Sequence, residues 1–186
     1  MSAAAGSAPA GAVPPPPALP VVSLAPGPGD EAPAELSDAR IDALRREAGC
    51  TIEEVGGPDH HEAVAIAPGT TLILLACGSG AYNVTSLPYI ATRQGGTVAI
   101  GLAPFDSQWG LDDPELGRPT LINGQWDAEA RLLREYSKGR GLGDCGTRAE
   151  YGWDGASFRL VRQEEMEECR GSLYYITTWS TQVVRP

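Results

Sequence analysis

Lysine and histidine are nearly absent: of 14 basic residues only Lys138 is a lysine, and the chain has 2 histidines. Against 24 acidic residues this leaves a formal net charge of −10, with no clustered stretch of Lys and Arg. Such clusters supply the phosphate contacts of nucleic-acid and anionic-membrane binding, so both partners are excluded. The acidic excess is spread along the chain and serves solubility. Long apolar runs are missing too. The longest candidate, Leu72 to Cys77, stops at Gly78, far short of the about 18 residues that cross a bilayer. No charged segment followed by an apolar core opens the sequence, so it shows no secretory signal of its own.

What is abundant is glycine and proline, 23 and 16 of 186 residues. Residues 1–33 hold much of the proline and no aromatic side chain, too little apolar surface to offset the entropy of ordering the chain. Residues 1–36 are therefore expected to form a disordered Ala/Pro-rich linker, with Pro14 to Pro17 favouring a polyproline II spacer. Residues 37–186 form one domain. Its first element is a helix from Asp38 to Ala48: Ser37 is placed to cap it, Leu36 and Ile41 make a hydrophobic staple, and Gly49 suits the left-handed stop.

Beyond Cys50 the pattern changes to strands. Thr70 to Ala76 and Thr97 to Leu102 are β-favouring runs, and shorter strands are expected at Ala63 to Ile66, Tyr82 to Ala91, Pro119 to Ile122 and Arg131 to Lys138. Gly95-Gly96 and Asn123-Gly124 read as hairpin turns. A two-residue turn at Asp154-Gly155 would pair Tyr151 with Phe158 and Glu150 with Arg159, giving one apolar and one charged face. Leu173 to Val184 reads as a final strand. The fold class is mainly β: an antiparallel meander or sandwich-like domain with one short N-terminal helix.

Four cysteines, Cys50, Cys77, Cys145 and Cys169, allow three pairings. No two stand in a Cys-x-x-Cys spacing and the histidines are adjacent, so no metal or other cofactor is expected. The hairpin register puts position 145 opposite 164, from which a short turn brings Cys169 back toward Cys145. Cys50 then joins Cys77 by elimination. Two such bridges suit an oxidising compartment.

Several motifs dissolve on inspection. Gly141-Leu142-Gly143-Asp144-Cys145-Gly146 fits a dinucleotide-binding glycine pattern, but a strand follows where that pattern needs a helix. Cys77-Gly78-Ser79 lacks the partners of a thiol or serine nucleophile. Asp59-His60-His61-Glu62 reads as a polar loop, since neighbours in an extended chain point to opposite faces. No catalytic residue is assigned. The partner-binding candidates are Lys138, Arg140 and Asp144, where two positive charges sit on a glycine-rich loop beside a covalent anchor.

The stretch Tyr136-Ser137-Lys138-Gly139-Arg140-Gly141-Leu142-Gly143-Asp144-Cys145-Gly146, together with Trp153-Asp154-Gly155 and Met166 with Cys169-Arg170-Gly171, resembles a bacterial cell-envelope family of unknown function. That family is marked by six cysteines and a length about twice this one. The resemblance implies that this chain is a C-terminal half, with an export signal and a second two-cysteine domain encoded upstream, and that it resides in the periplasm or is secreted. The arginine-rich, alanine-rich composition agrees with a bacterial origin. The functional expectation is a non-catalytic periplasmic binding or structural module, its partner an envelope protein or an anionic cell-wall component. The alternatives are an inhibitor of a cell-wall-degrading enzyme, because Ser79-Gly80-Ala81-Tyr82 resembles the inserting loop of lysozyme inhibitors, and a hydrolase.

Overall fold

In the computed structural model, which describes residues 17–50, 61–108, 110–111 and 116–186, Ser37 caps α1 (Asp38–Ala48) by accepting the Arg40 N–H. Gly49, at φ 68°, turns the chain out of the helix, and its N–H and that of Cys50 close the last carbonyls. Ile41 and Leu44 are buried, each contributing roughly 1.5–3 kcal/mol by leaving water.

These two side chains cover one face of the first sheet. Its strands β2 (His61–Ala67), β3 (Thr70–Ser79), β4 (Val84–Gln94) and β5 (Thr97–Leu102) pair antiparallel in chain order, and β6 (Leu121–Ile122) adds to β4. Alternate residues of β3 point opposite ways. Ile73 and Leu75 pack with Leu87, Tyr89 and α1, whereas Leu72 and Leu74 pack against the second sheet. Burial on both faces is why this strand reads as an unbroken apolar run. The second sheet runs β11 (Ile176–Ser180), β10 (Phe158–Met166), β9 (Gly146–Trp153), β8 (Leu132–Lys138) and β7 (Gln125–Asp127), again antiparallel. Leu133, Tyr151, Trp153 and Phe158 close the core between the sheets, with Phe105 stacked on Phe158 and edge-on to Tyr151. Among the described residues the architecture is thus the expected mainly β one: two large antiparallel sheets, one short helix, and disulfides Cys50–Cys77 and Cys145–Cys169 with Cα atoms 4.6 and 4.7 Å apart.

Four expectations require correction. First, packing begins well before residue 37. β1 (Val21–Ser23) pairs parallel with β12 (Gln182–Val184), and Val22 and Leu24 are buried beside Leu132 and Val161. Farther along, Ala34 N–H donates to Thr71 Oγ1 at 2.8 Å, Glu31 accepts the Gly69 N–H at 2.7 Å, and Arg93 holds the Ala32 and Pro33 carbonyls. A few apolar side chains and long-range backbone bonds suffice where composition alone pointed to disorder. The expected spacer over Pro14 to Pro17 falls almost entirely outside the described residues, as do Asp59 and His60.

Second, Asp154-Gly155 is not a two-residue turn. Asp154 Oδ1 accepts the N–H groups of both Ala156 and Ser157 at 2.8 Å, which closes a longer loop. Phe158 consequently faces Trp153, Leu160 faces Tyr151, and a bulge before Arg162 sets that residue opposite Glu150. Third, Asn123-Gly124 is a crossover rather than a hairpin: β6 belongs to the first sheet and β7 to the second. The Asn123 side chain bridges them, accepting the Val84 N–H at 2.9 Å and donating to the Tyr136 carbonyl at 2.8 Å. The expected single strand from Leu173 is likewise split between β11 and β12.

Candidate functional site

The chain leaves β8 at Lys138, forms the glycine-rich loop, and returns at Gly146 to start β9 directly opposite, in register. Glycine is required at three of its turns. A Cβ on Gly146, whose φ is 124°, would overlap the Ser137 carbonyl oxygen; one on Gly139 would meet Cys145 Sγ at 2.8 Å; one on Gly143, at φ 67°, would meet Tyr136 Oη. The motif that reads as a nucleotide fingerprint is therefore the packing requirement of one loop.

Within it Arg140 and Asp144 face each other. The Arg140 guanidinium donates through Nε and Nη2 to the two Asp144 oxygens at 2.7 and 2.5 Å, and Nη2 also reaches the Cys169 carbonyl. Asp144 is 2% exposed and accepts the Gly171 N–H at 2.6 Å. The hydrogen bonds from Arg140 hold its carboxyl well below the usual carboxylate range. Asp144, Cys145 and Cys169 lie close enough to suggest a metal site, but both sulfurs are spent in the disulfide and neither is a thiolate. Two of the three expected partner-binding residues thus satisfy each other. Arg140 and Asp144 lock the loop to the segment after Cys169.

More ties come from outside the loop. Tyr82 Oη donates to the Gly139 carbonyl at 3.0 Å, and Asn83 both donates to the Lys138 carbonyl and accepts its N–H. The Ser79 to Tyr82 turn, expected by resemblance to insert into an enzyme, is in this way bonded back onto the loop. Tyr136 Oη donates to the Gly143 carbonyl at 2.5 Å, and Tyr175 Oη lies 3.1 Å from that oxygen and 3.3 Å from Tyr136 Oη. Burial first, then the hydrogen bond with Tyr136, pushes the Tyr175 phenol up to about 12, so it stays a neutral donor.

Between those two rings lies a residue that the motif reading missed. The Arg148 guanidinium is 4.6 Å from the Tyr136 ring centre and 4.1 Å from that of Tyr175, and Lys138 Nζ is 5.5 Å from Tyr136. Lys138 and Arg148 line a groove of about 500 Å³ on the outer face of the second sheet, with Arg134 and Arg162. Arg134 is paired with Asp127 and Glu150, and Arg162 with Glu164. Lys138 and Arg148 make no ion pair among the described residues. The signal in the sequence was strand alternation, which puts Arg148 on the face of Tyr136; the approach of Tyr175 is nonlocal.

On the opposite, inner face of β8 stands Glu135, 7% exposed at the end of the core. Oε1 accepts the Ile122 N–H at 3.1 Å; Oε2 accepts the Tyr151 hydroxyl at 3.3 Å and the Gln108 amide at 3.4 Å. Gln108 is itself fixed by a two-way bond to the Thr120 backbone. Burial pushes the Glu135 carboxyl above its ordinary range despite these donors, and burial together with the Glu135 charge pushes the Tyr151 phenol up as well. A cavity of about 540 Å³ opens beside it, between the sheets.

The fold and its locked loop define a disulfide-stapled, mainly β domain. The chain belongs to the DUF1176 family, proteins of unknown function, whose profile matches residues 2–184. It is also 33% identical over 149 residues to the uncharacterized protein YpfG of Escherichia coli (strain K12), a match covering 76% of this chain and 38% of that protein. The chain therefore spans less than half the length of that relative. No solved structure matches it. The family match corrects the expectation raised by resemblance: it extends over the whole chain, proline-rich arm included, rather than assigning it to the C-terminal half of a six-cysteine family. The cysteines here are four, joined in two bonds.

No helix among the described residues is long and apolar enough to cross a membrane.

Proposed function

We propose that this is an exported, non-catalytic binding module of the cell envelope, which receives an anionic cell-wall component in the groove at Lys138 and Arg148. One observation carries the reading. On a chain of net charge −10, two cations without carboxylate partners among the described residues are gathered in one groove and held over aromatic rings. Their ordering has already been met by the rings and by the locked loop, so an incoming anion loses less entropy than it would on free side chains. Two disulfides support residence in an oxidising compartment.

Calorimetric titration with soluble muropeptides, whose peptides end in free carboxylates, tests the proposal. The wild type should bind with an affinity that falls as salt rises. The double substitution Lys138→Ala with Arg148→Ala should weaken binding at least about tenfold, because hydrogen bonds to charged groups contribute roughly 1.5–3 kcal/mol each. Unchanged affinity in the double variant would overturn the site. Inhibition of lysozyme by the purified domain, or turnover of chromogenic esters or glycosides, would replace the reading with an inhibitor or a hydrolase.

A further inference from the structure

We infer that the cavity beside Glu135, which adjoins the outer groove and shares Glu135, Arg148 and Ala149 with it, takes a small hydroxylated amine whose cationic nitrogen meets Glu135. The argument starts from what a buried carboxylate needs. An ionised carboxylate out of water is costly unless a cation or strong donors compensate it. Glu135 has three neutral donors, two of them at 3.3 and 3.4 Å, and no ion pair with Lys, Arg or His among the described residues. A glutamine would join the same strands without the burden of charge. Instead a carboxylate, which can accept about four hydrogen bonds, stands at the wall of a cavity with acceptor capacity unused.

Arg148 also lines the cavity, but its guanidinium is held over the Tyr136 and Tyr175 rings, and the remaining lining specifies what accompanies the nitrogen. Ser107, Ser137 and Thr147 contribute hydroxyls that both donate and accept. Gln163 lines the same space; its amide nitrogen is committed to Glu165 at 2.6 Å, which leaves its oxygen as an acceptor. Leu160 supplies an apolar strip against which the carbon skeleton of a ring can lie. The inner-face residues of β8 and β9 are set by register: Ser137 faces Thr147 and Glu135 faces Ala149, so hydroxyls and carboxylate share one wall on rigid strands rather than on loops. At about 540 Å³ the space lies within the roughly 300–1,000 Å³ usual for small-molecule sites and accommodates a sugar-sized ligand.

The probe is glucosamine, compared with glucose and N-acetylglucosamine, followed by amide NMR titration below the pKa of the amine. The wild type should bind glucosamine with shifts concentrated at Ser137, Thr147 and Gln163, and bind the two neutral sugars at least tenfold more weakly. Glu135→Gln should abolish that preference, and Ser137→Leu, which fills the cavity without touching the carboxylate, should weaken all three sugars together. Equal affinity of the wild type for glucosamine and glucose would overturn the proposal, as would absence of binding by any of the three. Retained preference in Glu135→Gln would overturn it too. Because Glu135 and Arg148 line both spaces, the anion reading of the outer groove is tested apart from these results through Lys138→Ala, at a residue that lines the groove and not the cavity.

Discussion

Replacing Cys145 and Cys169 together by Ala should cost the domain about 3.5 kcal/mol. The bridge joins residues 24 apart, and in the chain-entropy account a closed loop of this size removes that much freedom from the unfolded chain. For a domain of this size about 1 kcal/mol moves the thermal midpoint by roughly 2–4 °C, so a fall of about 7–14 °C is expected. The Cys50–Cys77 bridge closes nearly the same length, 27 residues, and its removal should cost nearly the same if the unfolded state alone decides. The two differ in what stays behind. Without Cys145–Cys169 the Arg140–Asp144 pair, the Gly171 N–H and the two tyrosine hydroxyls still hold the loop. Amide exchange at Gly139 and Gly143 should therefore rise only as far as global stability falls. Urea unfolding of both double variants, with oxidised wild type as reference, reads the energies; exchange reads the loop. A loss below about 1 kcal/mol would refute the entropic reasoning, and selective exchange at the loop, beyond the global change, would show that the bridge itself shapes the native loop.

Gly146→Ala should be among the most destabilising single changes, on the order of 3 kcal/mol or more, because the new Cβ would overlap the Ser137 carbonyl and the residue keeps a positive φ; a thermal midpoint within 2 °C of wild type, about the shift from 1 kcal/mol or less, would contradict the packing described. Arg140→Ala should lower the midpoint, since it strips the partner from buried Asp144, whereas Lys138→Ala should leave it almost unchanged. Equal effects would mean that the loop is not locked by that pair. Glu135→Gln should stabilise the domain relative to wild type at alkaline pH more than at acid pH. The sign follows from the raised carboxyl: the wild-type group contributes stability while protonated and loses it as pH rises through its folded pKa, and glutamine has no such loss. Paired melting curves across pH check this, and a difference that grows toward acid would refute it.

Local physics was legible in the sequence and nonlocal physics was not. The helix at Asp38–Ala48 was readable because its cap, staple and glycine stop all lie within a dozen neighbouring positions. The β-favouring run that becomes β3 and the positive-φ turn at Gly95-Gly96 were readable for the same reason. The cysteine pairing survived an error in register, because an antiparallel β9–β10 brings Cys145 near Cys169 whether the turn holds two residues or more. Hidden from a local reading were the docking of Val22 and Leu24 against β8 and β10, the Asn123 bridge between sheets, and the stacking of Arg148 on Tyr175. Glu135 was hidden differently. On the expected strand from Arg131 to Lys138 nothing local marks Glu135 as buried, and only the return of β9 and of Ile122 shows that it is enclosed.

The most direct measurement on the central claim is an amide and side-chain NMR map of the wild-type domain titrated with soluble muropeptides. The account predicts shifts confined to the outer face of the second sheet, at Lys138, Tyr136, Arg148 and Tyr175, fading as salt is raised. Shifts scattered over the surface, or centred elsewhere with these four residues silent, would contradict it.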